Sequence, residues 1–295
     1  LVRNLDAQAN VLIENFKVGG LARFGLDYPA LATLNPGLVY CSITGFGQDG
    51  PYADRAGYDY LIQGMSGLMS ITGAPDGEPQ RVGVAITDLV SGLYSVIGIL
   101  AALRERDRTG RGQQLDISLL DSATAILANQ AMNYFASGTA PGRVGNIHPN
   151  IVPYQVFPVA DGDVIIAAGN DAQYRRLCAV LGRDDLADAP EYATNGDRVS
   201  RREALVPLLA QATRAWSRDD LLAALEAVKV PAGPINSIAQ VIEDEQIRAR
   251  GMHIRPEGVD GLRSPLRFSE STLETSRTAP MPDQHGDAIR DKGFG

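Results

Sequence analysis

Residues 82–88 read Val-Gly-Val-Ala-Ile-Thr-Asp, and a largely apolar stretch follows them until Arg104, Glu105 and Arg106. Residues 82–86 predict a strand, and residues 88–106 predict a long helix. A strand that leads directly into a helix is half of a βαβ unit, from which parallel sheets covered by helices are built. This stretch therefore favours an α/β fold and places Asp88 where the strand passes into the helix.

The same alternation of strands and helices extends to both sides of this junction. Further strands are predicted at residues 11–13, 38–43 and 114–119, and further helices at 29–34, at 60–71 and from an Asp121 cap to 135. Residues 137–150 lack periodicity and contain Gly, Pro and Ser, which predicts a linker. A strand at 163–168 and several short helices follow. We therefore predict a large α/β domain with a mostly parallel sheet, followed by a smaller domain.

The composition is that of an ordinary globular protein, with 44% hydrophobic and 21% charged residues. The net charge of −8 argues against nucleic-acid binding, since nucleic-acid-binding proteins usually carry an excess of positive charge. Ser91 and Ser95 interrupt the longest apolar run, which we judge shorter than the roughly 20 residues needed to span a bilayer. We therefore expect the long helix to be buried in a soluble protein that binds neither nucleic acid nor membrane.

Cysteine and histidine are both rare in this chain. Cys41 and Cys178 are far apart and lack the spacing of metal ligands, which predicts a reducing, cytoplasmic compartment without a disulfide framework. Histidine occurs only at His148, His253 and His285, which excludes a histidine-rich metal site. Acid–base chemistry would therefore depend on carboxylates or tyrosines, and no metal is expected.

Asp88 can be interpreted in two compatible ways. A carboxylate at the start of a helix is commonly an N-cap, because it accepts hydrogen bonds from free backbone N–H groups. The same position keeps a carboxylate ionised, through those N–H groups and the helix dipole, and lies where α/β sheets bind ligands. An ionised carboxylate there could attack a thioester carbonyl and form a mixed anhydride.

Residues 13–25 contain side chains suited to ligand binding, although each also has a structural explanation. Asn15 could cap a helix, Phe16 could be a core residue, and Lys17 and Arg23 could be solvated. The pair Gly19-Gly20 is weak evidence for a phosphate site. Residues 13–25 contain neither a Walker loop nor Gly-x-Gly-x-x-Gly, which argues against a nicotinamide oxidoreductase.

Residues 54–60 form a second segment of this kind, at the end of a glycine-rich loop. Asp59 is most simply a helix cap, and Tyr58 is most simply an aromatic lid over the loop.

Six segments, in their order and spacing, resemble the family III CoA transferases, a group that contains formyl-CoA transferase, carnitine CoA transferase and α-methylacyl-CoA racemase. They are Glu-Asn-Phe-Lys-Val-Gly at 14–19, Ile-Thr-Gly-Phe-Gly-Gln-Asp-Gly-Pro at 43–51, Arg-Ala-Gly-Tyr-Asp at 55–59, Gly-Val-Ala-Ile-Thr-Asp at 83–88, Arg-Thr-Gly-Arg-Gly-Gln at 108–113 and Val-Pro-Ala-Gly-Pro-Ile-Asn at 230–236. Together they extend over nearly the whole chain. Residues 151–158 and 168–170 look most like the succinyl-CoA:glutarate CoA transferases of that family.

The resemblance implies roles for individual residues. Asp88 falls on the catalytic aspartate of the family. The positions that it assigns to CoA binding are Asn15, Phe16, Arg23, Phe24, Tyr58 and Asp59. We also predict that Arg143 or His148, in the linker, holds the distal carboxylate of a dicarboxylic acceptor, although a solvated arginine and a histidine that packs on Pro149 are the simpler explanation.

The resemblance also implies a fold and an assembly. We expect an interlocked homodimer whose chains each have a Rossmann-like large domain, at residues 1–145, and a smaller α+β domain, at residues 146–245. Residues 246–295 would return to the large domain. Two departures accompany this expectation: the N-terminal part of the family fold is apparently missing, and the glycine-rich loop that formyl-CoA transferase folds over its active site has no counterpart.

The implied activity is transfer of CoA from an acyl-CoA to a free carboxylic acid, with a dicarboxylate such as glutarate or succinate as acceptor. Coenzyme A would be a substrate, and no prosthetic group is expected. A 2-methylacyl-CoA racemase is an alternative, but racemases of the family have Gly-His-Asp where this chain has Gly57-Tyr58-Asp59. A degenerate CoA-binding protein is a further alternative.

Overall fold

In residues 1–145, three parallel strands form one sheet: β1 (Val11–Glu14), β2 (Val39–Thr44) and β3 (Gln114–Ser118). β2 lies between the other two, and its first four residues are buried. Continuous burial along a strand is typical of a parallel sheet covered on both faces. The parallel sheet that the sequence predicts is therefore present.

A computed structural model describes residues 1–293, which divide into two units. The first unit contains residues 1–145 together with the described residues from 285 onward, and the second contains residues 146–284. We predicted that the chain returns to the large domain at residue 246, but the second unit extends to 284. Hydrogen bonds from Arg263 to the carbonyls of Arg250 and Gly251 help to hold this segment in the second unit.

The helices of residues 1–145 follow the predicted pattern in most places. They are α1 (Val2–Asp6), α2 (Tyr28–Leu34), α3 (Asp59–Met65), α4 (Ile86–Thr109), α5 (Leu119–Ala125) and α6 (Ala128–Ser137). The predicted cap at Asp121 is wrong, because the Ser118 side chain is the cap and accepts a hydrogen bond from the Asp121 N–H.

The predicted strand at residues 82–86 does not form. The Val82 N–H donates to the Gln63 side chain at 2.9 Å, and the Ile86 N–H donates to the Val84 carbonyl at 2.8 Å. These backbone groups are thus bonded by a side chain and by a local turn instead of a neighbouring strand. α4 therefore begins directly after an irregular segment, and Asp88 is its third residue.

α4 is less buried than the sequence suggests. Its buried residues are Thr87, Ser91, Ser95, Ile99 and Ala102, which face the rest of the first unit. The apolar residues more than half exposed are Leu89, Leu93, Val96, Ile97 and Leu100. The prediction of a buried helix is therefore wrong for one of its faces.

The prediction that no stretch suffices to span a bilayer also needs correction. α4 has 24 residues and contains an 18-residue stretch with a mean hydropathy of 1.8, which meets the length and composition of a membrane-crossing helix. Core helices of water-soluble proteins meet the same criterion. In this structure α4 packs on β2 and β3 along one face, so it is part of the α/β unit.

The second unit is built on an antiparallel sheet of β4 (Tyr154–Val159), β5 (Gly162–Ala167) and β6 (Ala232–Pro234). Its helices are α7 (Asp171–Val180), α8 (Asp184–Ala187), α9 (Asn195–Ser200), α10 (Arg202–Thr213), α11 (Arg218–Ala227), α12 (Ile238–Glu243) and α13 (Glu245–Ala249). A small hairpin of β7 (His253–Ile254) and β8 (Gly261–Leu262) follows. α14 (Gly286–Lys292) belongs to the first unit.

Candidate functional site

A cavity of about 440 Å³ in the first unit brings together several residues that the sequence singles out. Its wall comes from the end of β1, the end of β2, the loop before α3 and the first two turns of α4. The candidate residues that line it are Asn15, Phe16, Tyr58, Asp59 and Asp88. Segments far apart in the chain therefore meet at one site, as expected for the edge of a parallel sheet where its strands end.

Asp88 lies at this cavity, and its carboxylate is free. The helix does not use Asp88 as its N-cap, because the cap position is Ala85 and Asp88 lies inside the first turn. No hydrogen bond or ion pair to the Asp88 carboxylate forms within residues 1–293. Its oxygens are therefore available to attack a substrate.

We predicted that the start of the helix keeps Asp88 ionised, but the surroundings of Asp88 disfavour its charged form. Partial burial of its carboxyl and the negative charge of Asp59 raise the pKa of Asp88 above its usual range. Asp88 as a whole is exposed, so solvent screens part of this effect. A carboxylate with a raised pKa is more basic once ionised, which favours nucleophilic attack.

Asp59 does not have the capping role that the sequence predicts. It does not cap its own helix, where the cap position is Tyr58. Asp59 Oδ1 instead accepts hydrogen bonds from the Thr87 N–H at 2.8 Å and the Thr87 hydroxyl at 2.7 Å. Asp59 Oδ2 accepts one from the Gln63 amide at 2.7 Å. Both oxygens are therefore bonded within the protein, and the contact of Asp59 with CoA stays a prediction.

These hydrogen bonds also determine the ionisation of Asp59. Burial alone would raise the pKa of Asp59, but hydrogen bonds from Thr87, from Gln63 and from the backbone of Thr87 and Asp88 outweigh it and lower the pKa. Asp59 and Asp88, two carboxyls at one cavity, thus have pKa values shifted in opposite directions.

Phe16 and Tyr58 supply exposed aromatic surface at the cavity, with 59% and 77% of their surface accessible. The loop that carries Tyr58 lies against the end of β2 through Gly45 and Gly57. A Cβ on Gly57 would lie 2.5 Å from the Gly45 Cα, so larger residues would force these segments apart. The two glycines therefore let the loop carry Tyr58 to the cavity.

Arg23 and Phe24 do not line the Asp88 cavity. They lie on a short 3₁₀ helix (Ala22–Phe24) and line a second cavity of about 730 Å³. The Arg23 guanidinium lies 4.6 Å from the centre of the Phe24 ring. Phe16 and Lys17 line both cavities, so the two adjoin.

Arg143 and His148 are engaged elsewhere. The Arg143 guanidinium donates hydrogen bonds to the carbonyls of Ala74, Pro75 and Gly77 and so holds that turn. His148 Nδ1 accepts a hydrogen bond from the Asn150 N–H, and its ring packs on Tyr154. Neither residue lines the Asp88 cavity. Their assignment to the acceptor carboxylate stays a prediction.

The structure adds polar residues that the sequence analysis missed. Gln63 and Thr87 are completely buried and bond Asp59. Ser91 lines the cavity one turn after Asp88, and its buried hydroxyl has no hydrogen-bond partner within residues 1–293. The sequence feature that could have identified them is their spacing, since Gln63 follows Asp59 by four residues and Ser91 follows Asp88 by three. Such spacings put side chains on one helix face but do not identify their partners.

The sequence model described as CoA-transferase family III matches residues 1–286. The chain belongs to CoA-transferase family III. This CoA transferase is 52% identical over 290 residues to the succinate–glutarate CoA-transferase of Agrobacterium fabrum, covering 97% of this chain and 72% of that protein. It is 39% identical over 285 residues to the acetyl-CoA:oxalate CoA-transferase of Acetobacter aceti, covering 96% of this chain and 73% of that protein.

A solved structure confirms the fold of this family III CoA transferase. The crystal structure of a CaiB/BaiF family protein from Brucella suis matches it with a TM-score of 0.88 at 56% identity, over 99% of this chain and 77% of that chain. The mixed α/β fold is therefore that of the CaiB/BaiF proteins. Within residues 1–293, no group of three or more His, Cys, Asp or Glu side chains could hold a metal ion.

Proposed function

We propose that this CoA transferase moves CoA from succinyl-CoA or a related acyl-CoA to a dicarboxylic acid such as glutarate, through an anhydride on Asp88. The observation that carries the proposal is the Asp88 carboxylate, which accepts no hydrogen bond from residues 1–293 and lines a cavity with exposed aromatic side chains. The relative from Agrobacterium fabrum, whose name includes both succinate and glutarate, supports the choice of substrates.

The proposed reaction needs no proton donor. A carboxylate oxygen of Asp88 attacks the thioester carbonyl of the donor, the C–S bond breaks, and CoA leaves as a thiolate that stays bound. The acceptor carboxylate then attacks the aspartyl carbonyl of the anhydride and displaces the donor acid. The CoA thiolate finally attacks the acyl carbonyl of the new anhydride, which forms the product thioester and releases the Asp88 carboxylate.

The two adjoining cavities suit a long, anionic substrate such as acyl-CoA. We propose that Asn15, Phe16, Arg23, Phe24 and Tyr58 contact it, with the thioester end at Asp88. Since the chain carries a net charge of −8, attraction for the phosphates must come from local cations. Lys17 and Arg55 line the Asp88 cavity, and Arg23 lines its neighbour.

Acceptor choice tests the proposed substrate class. With succinyl-CoA as donor, we expect glutarate to be used at least about tenfold more efficiently than a monocarboxylic acid of equal length, because a charged hydrogen bond contributes about 1.5–3 kcal/mol. CoA exchange is measured by chromatography over a panel of acids. Equal kcat/KM for both acids would contradict a dicarboxylate site, and no exchange with any acid would indicate a degenerate CoA-binding protein.

The proposed role of Arg143 is tested with the same panel. If Arg143 binds the distal carboxylate, Arg143→Ala should raise the KM for glutarate more than the KM for the monocarboxylic acid. If Arg143 only holds the turn at residues 74–77, both KM values should change alike, which would remove Arg143 from the site.

We further propose that the chain functions as a homodimer in the cytoplasm and uses no prosthetic group. Support for an assembly comes from the exposed apolar face of α4, since an exposed apolar patch of this kind often marks an interaction surface. Both cysteines, Cys41 and Cys178, are free and buried, in keeping with a reducing compartment.

Charge on the α4 face should weaken the proposed dimer. Ile97 is 62% exposed and lies one turn from Leu93, which is 64% exposed. In Ile97→Lys we expect the dimer dissociation constant to rise at least about tenfold, because a buried lysine would lose its hydration. Light scattering over a concentration series measures this, with Val259→Lys on the second unit as control. A wild-type chain that stays monomeric at all concentrations would contradict the homodimer.

A further inference from the structure

We propose that Asp59 and Gln63 are positioning residues for Asp88, which fix the first turn of α4 and place a negative charge beside the reacting carboxylate. The inference rests on the proposed function, in which Asp88 is the nucleophile. It assigns Asp59 a task other than the CoA contact that the sequence analysis assigned to it.

A chain of hydrogen bonds connects the irregular segment before α4 to the helix itself. The Val82 N–H donates to Gln63 Oε1 at 2.9 Å, and Gln63 Nε2 donates to Asp59 Oδ2 at 2.7 Å. Asp59 Oδ1 then accepts from the N–H and the hydroxyl of Thr87. Gln63 and Thr87 are completely buried, so breaking one bond would leave a polar group without water as a substitute.

This network supplies a hydrogen-bond acceptor that the start of α4 lacks. The first N–H groups of a helix need acceptors from outside it, and Ala85 at the cap position has no side-chain acceptor. In the part of the chain that the structure describes, no strand leads directly into α4 to hold its start in place. Asp59, which comes from α3, accepts from Thr87 immediately before the nucleophile. The position of the Asp88 backbone therefore depends on Asp59, and the position of Asp59 depends on Gln63.

The network also has an electrostatic consequence at Asp88. Its hydrogen bonds outweigh burial and lower the pKa of Asp59, so Asp59 remains charged. Burial raises the pKa of Asp88, and the charge of Asp59 raises it further. The other charged or titratable groups that line the cavity are Lys17, Arg55 and Tyr58. Removing the charge of Asp59 should therefore lower the pKa of Asp88.

The two roles open to Asp59 differ in their kinetic consequences. A residue that contacts CoA contributes to substrate binding, so its loss raises KM for the acyl-CoA. A residue that positions the nucleophile contributes to the chemical step, so its loss lowers kcat and leaves KM nearly unchanged.

The test compares Asp59→Asn and Gln63→Met with the wild type and with Asp54→Asn, a control that removes an exposed carboxylate from the same loop. Asparagine keeps an acceptor oxygen for Thr87 but removes the charge, and methionine keeps the length of Gln63 but removes both hydrogen bonds. Carbon-13 NMR of labelled aspartate carboxyls, with the Asp88 signal assigned from Asp88→Asn, gives the pKa of Asp88 without turnover.

We expect the Asp88 pKa and the acidic limb of the pH–kcat profile to move to lower pH in Asp59→Asn, and both to stay unchanged in Asp54→Asn. In Asp59→Asn and Gln63→Met we expect kcat to fall between about 10- and 100-fold, since small misplacements of a reacting group have effects of this size. KM for the acyl-CoA should stay within about threefold.

An unchanged Asp88 pKa in a folded Asp59→Asn would overturn the proposal, and so would a rise in KM at constant kcat. If Asp59→Asn does not fold, the kcat and KM of Gln63→Met alone test the proposal, and a rise in KM at constant kcat would overturn it. An Asp88→Asn variant with normal turnover would overturn the proposed function instead. The NMR titration would still report whether Asp59 acts on Asp88, so the two failures are distinguishable.

Discussion

In Asp88→Asn, CoA transfer should fall by about a thousand-fold or more, which is within the range for loss of a nucleophile. Asparagine has nearly the shape of aspartate, but its amide cannot attack a thioester to form an anhydride. Asp88 makes no side-chain hydrogen bond within residues 1–293, so its replacement should leave the fold intact. Steady-state transfer from succinyl-CoA to glutarate measures the loss, and circular dichroism checks the fold.

Asp121→Asn is a matched control for this variant. Asp121 is also exposed and is also the third residue of its helix, but it does not line the Asp88 cavity. Any general effect of removing a carboxylate from the first turn of a helix should appear in both variants. Transfer close to the wild-type rate in Asp88→Asn would exclude Asp88 as the nucleophile.

We expect the wild-type chain to transfer CoA much faster than it exchanges the α-proton of an acyl-CoA. Racemases of this family have a histidine at the position of Tyr58, and no histidine lines the Asp88 cavity among the described residues. Phenols ordinarily have a pKa of about 10 and imidazoles about 6.5, so a phenol is the poorer base near neutral pH. In heavy water we expect a chiral 2-methylacyl-CoA to exchange its α-proton at least about 100-fold more slowly than CoA is transferred.

Mass spectrometry of the recovered 2-methylacyl-CoA measures this exchange, and chiral chromatography measures its configuration. Tyr58→His serves as a comparison, since it places an imidazole at the position that racemases use. Rapid deuterium incorporation with loss of configuration in the wild-type chain would favour the racemase and contradict the proposed transferase function.

Local signals in the sequence predicted much of the site. The strand β1, the helix that contains Asp88 and the turn that carries Tyr58 are all encoded by short stretches of neighbouring residues. The carboxyl ends of parallel strands meet at one edge, so Asn15 and Phe16, which follow β1, could be expected there. Asp88 was expected at the same edge because of a strand at residues 82–86 that does not form. The structure places these residues around one cavity.

The errors concern interactions between distant segments. Residues 82–86 have the composition of a strand, but the Val82 N–H donates to the side chain of Gln63, which lies 19 residues earlier. Asp59 bonds Thr87 across 28 residues, so its role could not be inferred from its own neighbours. Hydropathy also predicted that all of α4 is buried, although a run of apolar residues does not reveal which face meets the sheet.

The most direct test of covalent catalysis by Asp88 measures the transfer of an oxygen isotope from the acceptor to the Asp88 carboxyl. The enzyme would turn over succinyl-CoA with glutarate that is labelled with heavy oxygen in both carboxylates. Mass spectrometry would then measure the mass of the peptide that contains Asp88. In the proposed reaction the acceptor oxygen bridges the second anhydride and stays on Asp88 when the CoA thiolate attacks. We predict heavy oxygen in the Asp88 carboxyl and none in Asp59 or Asp121. An Asp88 peptide of unchanged mass after many turnovers would contradict covalent catalysis by this residue.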